Sequence, residues 1–152
     1  MNPTPVSVCD DSDPFLTAFR GSFISALRWP QLDALWERVR ARADAGWFLY
    51  HLGDVPPSQP ADADQVATFI RELDALLRAE HKESYCGIVY ADDPAVPSLI
   101  KIYDPHNLGV SCGYSDNPPL PGWVMSLLPP CDLPATRVPT RSRRRWWQRV
   151  FG

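Results

Sequence analysis

The sequence predicts an α+β fold in which an antiparallel sheet of three to five strands carries two or three helices packed on one face. Three observations predict it. Two stretches, residues 30–45 and 64–81, have apolar side chains at helical spacing. Residues 85–127 contain short runs rich in Val, Ile, Tyr and Leu, separated by Pro, Asp, Asn and Gly, as in strands joined by tight turns. Residues 131–152 are rich in proline and arginine, which predicts a Pro-rich linker and a basic C-terminal tail.

The N-terminal residues 1–12 are polar, acidic and Pro-bearing, so we expect them to be disordered, with a single α+β domain over residues 13–130. The pair Asp13-Pro14 is typical of a helix start, because aspartate caps a helix and proline fits its first turn. Residues 14–29 are therefore predicted to be a helix. An edge strand stays an open alternative here, since one of its faces would carry Phe15, Thr17 and Phe19.

Two amphipathic helices follow. The first covers residues 30–45 and ends at Gly46, a natural C-cap, and the second covers residues 64–81. Between them, residues 47–52 form an aromatic run typical of a buried strand, and residues 53–63 form a proline-containing loop. The apolar stripes that predict these helices are Leu32, Leu35, Trp36 and Val39 in the first, and Val66, Phe69, Ile70, Leu73, Leu76 and Leu77 in the second.

The remaining strands are predicted at residues 85–91, 98–104, 108–114 and 122–128. Residues 104–107, Asp-Pro-His-Asn, fit a type I turn, so we expect the two strands beside this turn to pair as a hairpin. Lys101 lies in the first strand of that hairpin and indicates that one face of the strand is partly in contact with water.

The chain contains no run of eighteen apolar residues, and its first residues lack the basic and apolar regions of a secretory signal, so we expect a cytoplasmic protein. In that compartment the four cysteines are predicted to be reduced and mostly buried. They are Cys9, Cys86, Cys112 and Cys131. No Cys-x-x-Cys pair occurs, so the sequence indicates neither a zinc knuckle nor a thioredoxin-type redox pair.

Charge is divided unevenly along the chain. Up to Asp132 there are 18 acidic and nine basic residues, a net charge of −9, and the residues beyond it carry six arginines and no acidic side chain. The acidic body argues against a nucleic-acid platform, because affinity for nucleic acid comes largely from neutralising phosphates with basic side chains.

The tail residues 141–151 carry the most specific local signal. A helix there would have an apolar face bordered by arginines. That face would hold Trp146, Trp147, Val150 and Phe151, with Arg143, Arg144 and Arg149 around the rest. Such a helix suits an anionic membrane surface or an acidic groove on a protein partner. Two alternatives stay open: the tail folds back on its own acidic body, or it frays in solvent. Its candidate binding residues are Arg143, Arg144, Arg145, Trp146 and Trp147.

A second candidate binding surface lies around the Pro-rich loop at residues 118–121. Aromatic side chains next to prolines form a rigid surface for a partner, because prolines lose little entropy when they are held. The candidate residues are Tyr103, His106, Tyr114 and Trp123. For Trp123 the alternative is that it plugs the end of the sheet.

A thiol-dependent enzyme is an alternative function. It would use Cys112 or Cys86 as nucleophile, His106 as its base and Asp104 as the carboxylate that orients the base, all in hydrogen-bond contact. A histidine beside a proline in a turn is typical of an exposed turn residue, however, and Asp104 is typical of a turn cap. The same cysteines and His106, together with His81, lack recognised zinc-ligand spacing, so we assign no metal.

The sequence contains none of the common nucleotide-binding, hydrolase or zinc-protease motifs. It therefore predicts a small soluble, non-enzymatic accessory or protein-interaction domain, with no catalytic residue and no cofactor assigned. The alternatives are the thiol-dependent enzyme and a peripheral membrane protein anchored by residues 141–151. The expected partner is a protein, with an anionic membrane surface as the alternative.

Overall fold

The computed structural model describes residues 9–106, 120–133 and 141–151. These ranges contain four helices and five strands. In chain order they are α1 (Pro14–Phe19), β1 (Ile24–Ser25), α2 (Trp29–Arg40), β2 (Phe48–His51), α3 (Ala63–Glu80), β3 (Val89–Ala91), β4 (Leu99–Ile102), β5 (Trp123–Ser126) and α4 (Arg141–Phe151).

The five strands form one sheet in the order β1-β3-β4-β5-β2, and every neighbouring pair is antiparallel. The predicted fold class, α+β with an antiparallel sheet, is confirmed. β4 lies at the centre, where Ile102 is opposite Val89 on β3 and opposite Trp123 on β5. β1 and β2 lie at the two edges.

One face of the sheet packs against α2, α3 and α4. Side chains alternate between faces along a strand, so Ile100 and Ile102 of β4 point to this side together with Trp123 and Met125 of β5. The predicted apolar stripes of α2 and α3 are all buried here. Trp36, Trp47, Phe69 and Trp123 are the largest fully buried side chains of this core.

The other face is covered by α1 and by residues 131–133. Phe15 and Leu16 of α1 pack with Tyr50, Leu99 and Val124, which point away from the first core. Of the helices predicted for the domain, α2 and α3 therefore share one face, where the tail helix α4 joins them, while α1 lies on the second face. Lys101 of β4 lies on this second side, with its Nζ 4.1 Å from the ring centre of Phe19 and 4.0 Å from that of Phe23. These cation–π contacts let a half-buried lysine face an aromatic layer.

The prediction of one helix over residues 14–29 is wrong, because α1 ends at Phe19 and is followed by β1. Gly21 donates its N–H to the carbonyl oxygen of Ala18, and a Cβ atom at Gly21 would lie 3.1 Å from that oxygen. This tight turn ends the helix. Beyond it, Ile24 pairs with Ala91 of β3, so the backbone bonds of a helix are replaced by those of the sheet.

The predicted hairpin between residues 98–104 and 108–114 is also wrong. Both edges of β4 are occupied, one by β3 and the other by β5, which arrives from beyond residue 120. Residues 108–114 themselves lie outside the described residues. The other predicted strands are present but shorter than predicted, since ladder pairing ends where the chain turns away from its neighbours.

Cys9 and Cys131 form a disulfide with their Cα atoms 5.0 Å apart. The prediction that all four cysteines are reduced is therefore wrong for this pair. The two cysteines are 122 residues apart in the sequence, so no local pattern predicts their pairing. Cys9 also donates its N–H to the carbonyl oxygen of Asp132 at 3.0 Å. The free thiol of Cys86 is buried.

Among the helices of the described ranges, none combines the length and the apolar character needed to cross a bilayer.

Candidate functional site

The tail helix α4 packs on the protein's own body. Trp146 is only 7% exposed, and its ring meets Phe69 of α3 and Trp123 of β5 edge-on, at centroid distances of 6.4 and 5.5 Å. Of the two alternatives to an outside partner, folding back is therefore the one that the structure shows. An isolated helix of 11 residues is marginal in water, so this aromatic packing stabilises α4.

His51 lies in the aromatic layer beneath α4. Its ring stacks on that of Trp123, with the ring centroids 5.8 Å apart and the planes inclined by 14°. The ring centroid of Trp147 lies 5.2 Å from that of His51. Nδ1 of His51 lies 3.0 Å from Oδ2 of Asp54. Burial lowers the pKa of His51, and the nearby carboxylate of Asp54 only partly opposes it. No pattern in the sequence singles out this residue, because the run at 47–52 indicates only a buried strand.

Arg143 holds the beginning of α4 through two carboxylates. Its Nε and Nη2 donate to Oδ2 and Oδ1 of Asp104 at 2.7 and 2.9 Å. Its Nη1 and Nη2 donate to Oε2 and Oε1 of Glu80, at the end of α3, at 2.9 and 2.7 Å. The guanidinium fork is suited to such paired contacts. The hydrogen bonds to Asp104, and next those to Glu80, raise the pKa of Arg143 against the effect of burial.

Asp104 is 6% exposed, and contacts with His106 and Gly122 fix its position. Its Oδ1 also accepts the backbone N–H of His106 at 2.9 Å, which confirms the turn-capping alternative for this residue. Gly122 packs so closely that a Cβ atom there would lie 3.1 Å from the Cβ of Asp104. The carboxylate is thus committed to holding the turn and α4.

The expectation that Arg143 borders the apolar face of the tail helix is wrong. Arg143 is 7% exposed and points to the same side as Trp146, one turn further on, and Trp147. The helical period places these residues on one stripe, together with Val150, which packs on the core. The two acceptors lie far back in the chain, so only the folded structure reveals why an arginine is buried there.

The outer face of α4 remains open. Arg144, Arg145 and Arg149 are exposed. No acidic side chain among residues 9–106, 120–133 and 141–151 forms an ion pair with these three arginines. The helix therefore has a docked aromatic side and a free cationic side. We call the three arginines the arginine face.

The second predicted surface is not brought together in the part of the chain that the structure describes. Trp123 is fully buried in the core, so it plugs the sheet rather than offering a contact. Tyr103 is half-buried with its ring edge-on to Tyr90 at 5.6 Å, and burial raises the pKa of its hydroxyl. His106 is exposed. Tyr114 and the loop at 118–119 lie outside the described residues.

The described residues offer little for the thiol chemistry. Cys86 is fully buried, and burial raises the pKa of its thiol, whereas a nucleophilic cysteine needs a lowered one. Asp104 is bound to Arg143 and to a backbone N–H, so it does not orient the ring of a histidine. Cys112 lies outside the described residues. Within the ranges described, no group of three or more His, Cys, Asp or Glu residues is arranged to hold a metal ion.

Comparisons of this chain with protein-family models, with curated proteins and with solved structures find no match.

Proposed function

We propose that the chain is a non-enzymatic protein-interaction domain that binds an acidic partner protein through the arginine face of α4. The observation that supports this most directly is the position of Arg144, Arg145 and Arg149, which are exposed on a helix whose other side is packed on the body. Arginine is enriched at protein interfaces, where its fork binds carboxylates.

Docking of α4 favours binding because the helix is already formed. A free tail would have to fold when it met its partner and would lose conformational entropy at that moment. Arg143 and Trp146 hold the helix instead, so the exposed arginines project from a rigid element. Clustered charge of one sign also speeds the encounter with an acidic partner, and this effect weakens as salt rises.

A peptide array tests the proposal. The full chain is probed against immobilised peptides of random composition, beside a variant with Arg144→Glu, Arg145→Glu and Arg149→Glu. A matched control carries the same charge change at the exposed residues Arg28, Arg40 and Lys82. We expect acidic peptides to be enriched by the wild-type chain and the control and lost with the first variant. Equal binding by all three proteins, or no preference for acidic peptides, would contradict the proposal.

The peripheral-membrane alternative requires α4 to expose its apolar side. A membrane-bound amphipathic helix inserts its apolar side, but here Trp146 is 7% exposed and packed on Phe69 and Trp123. The helix would have to leave the body first. Titration with vesicles rich in phosphatidylserine distinguishes the two: the membrane alternative expects a shift of tryptophan emission, and the protein-interaction proposal expects none.

The thiol-dependent alternative is weakened by the burial of Cys86. The cytoplasmic location stays a prediction, and the Cys9–Cys131 disulfide weighs against it, because disulfides persist mainly in oxidising compartments.

A further inference from the structure

An open groove of about 500 Å³ runs between α3 and α4. We call the apolar residues that line it the floor: they are Ala75 and Leu76 from α3 and Trp146 from α4. Arg145 and Arg149 line it from α4, and Glu72 lines it from α3. The volume lies within the range of ligand-binding clefts, about 300–1,000 Å³, although this groove is open along the surface rather than enclosed.

The charges around the groove are only partly neutralised. Arg143 and Glu80 also line it, but these two side chains are bound to each other. Glu72 has a long contact to Arg71, 3.7 Å between Oε1 and Nη2. Arg145 and Arg149 form no ion pair within the described ranges, so the groove carries their two positive charges beside the one negative charge of Glu72.

The spacing of the two arginines sets the geometry of a ligand. Residues four apart lie one above the other on a helix, with about 5–6 Å between their Cβ atoms. Each guanidinium binds a carboxylate through two parallel hydrogen bonds. Arg144 is also exposed but does not line the groove. The helix thus supplies an internal comparison between arginines inside and outside the groove.

We propose that this groove binds an acidic segment of a partner protein in which carboxylates flank one apolar side chain. The carboxylates pair with Arg145 and Arg149, and the apolar side chain covers Leu76 and Trp146. Charge complementarity selects the acidic groups, and the apolar floor selects what lies between them. This inference rests on the proposed function and specifies the chemistry of the partner.

A protein segment fits this groove better than a bilayer does. Leu76 and Trp146 are mostly buried between the two helices, so a projecting side chain contacts them more readily than a flat bilayer does. A bilayer would instead contact the outermost cations, among which Arg144 would count as much as Arg145 and Arg149.

The test measures binding of fluorescently labelled peptides to the full chain by anisotropy at low salt. The first peptide has a leucine between two pairs of glutamates, the second has glycine in place of that leucine, and the third has lysine in place of the glutamates. We expect the leucine peptide to bind about three- to tenfold more tightly than the glycine peptide, because part of the leucine is buried. The lysine peptide is expected not to bind.

Variants of single residues locate the site. We expect Arg145→Ala and Arg149→Ala each to weaken binding of the leucine peptide about threefold, and Arg144→Ala to weaken it less, because Arg144 does not line the groove. Glu72→Gln is expected to tighten it, since a repelling carboxylate is removed. All four residues lie on helix surfaces, and circular dichroism checks that each variant keeps its fold.

The outcomes separate this inference from the proposed function. The groove proposal would be contradicted if Arg144→Ala weakened peptide binding as much as Arg145→Ala and Arg149→Ala do. Equal affinity of the wild-type chain for the leucine and glycine peptides would also contradict it. In both cases the arginine face would remain the proposed binding surface. Absence of binding by both acidic peptides, while the array still enriches other acidic sequences, would also overturn the groove alone. If the triple reversal has no effect on the array, the proposed function fails as well.

Discussion

The two faces of the sheet hold their outer segments by different physical means. On one face, the Cys9–Cys131 disulfide ties the residues before α1 to those after β5. On the other face, α4 is held without a covalent bond, by the ion pairs of Arg143 and the packing of Trp146. Reduction should therefore release the first segment and not the second, whereas removal of charge should release the second and not the first.

The difference follows from what each segment offers for packing. α1 buries Phe15, Leu16 and Phe19 in its six residues, and the disulfide adds a covalent tie beside this packing. α4 has arginine at four of the five positions from Arg141 to Arg145, and it packs on the body through one arginine, two tryptophans and Val150. A helix with so polar a sequence can stay attached and still present charge outward.

The largest effect is expected from removal of the disulfide. Replacement of Cys9 and Cys131 by alanine should lower the free energy of unfolding by about 4 kcal/mol, because the cross-link closes a long loop in the unfolded chain. Urea denaturation measures it. Dithiothreitol should destabilise the wild-type chain by a similar amount and leave the double variant unchanged. A loss under 1 kcal/mol would show that α1 and its surroundings hold without the bond.

A smaller loss is expected from Arg143→Ala. The substitution leaves the buried carboxylate of Asp104 unpaired, a situation that costs about 3 kcal/mol. The loss of the ion pair with Glu80 contributes less to this cost, because the side chain of Glu80 is 38% exposed and water solvates its carboxylate. Arg144→Ala on the same helix is the control and should change the free energy of unfolding by less than about 0.5 kcal/mol. Equal effects of the two substitutions in urea denaturation would contradict the docked position of Arg143.

The smallest effect is expected from pH, acting through His51. Its pKa in the folded chain lies below the unfolded value of about 6.5 because the ring is buried, so the unfolded chain takes up the proton first as pH falls. Stability should be full above pH 6.5 and decline below it, by at most about 1.4 kcal/mol per pH unit. Urea denaturation between pH 7.5 and 5.5 measures the slope. His51→Gln should remove it, and an unchanged slope in that variant would assign the effect to other groups.

Local pattern predicted the framework of this fold but not its long-range contacts. The stripes of α2 and α3 and the apolar runs of β2 to β5 repeat at helical and strand periods, so they are visible within a few residues. Residues 14–29 do not form the single helix that the spacing of phenylalanines predicts, because Ile24 pairs with β3 instead.

The candidate site shows the same limit. The sequence shows that Arg143, Trp146 and Trp147 are spaced to lie on one side of a helix. An arginine is nevertheless expected to be exposed unless a carboxylate that pairs with it is known. Its partners, Asp104 and Glu80, lie 39 and 63 residues earlier. No local pattern connects residues so far apart, and the same holds for His51 beneath α4.

Hydrogen exchange of the α4 amides tests the central claim, that the basic tail is docked on its own body. Exchange is followed by NMR in the full chain and in Arg143→Ala, with Arg144→Ala as control. We predict that the amides of Trp146, Trp147 and Val150 exchange about a hundredfold or more slowly than in an unstructured peptide, and that Arg143→Ala removes much of this protection. Exchange at the rate of an unstructured peptide in the wild-type chain would contradict the docked helix, and with it the rigid arginine face.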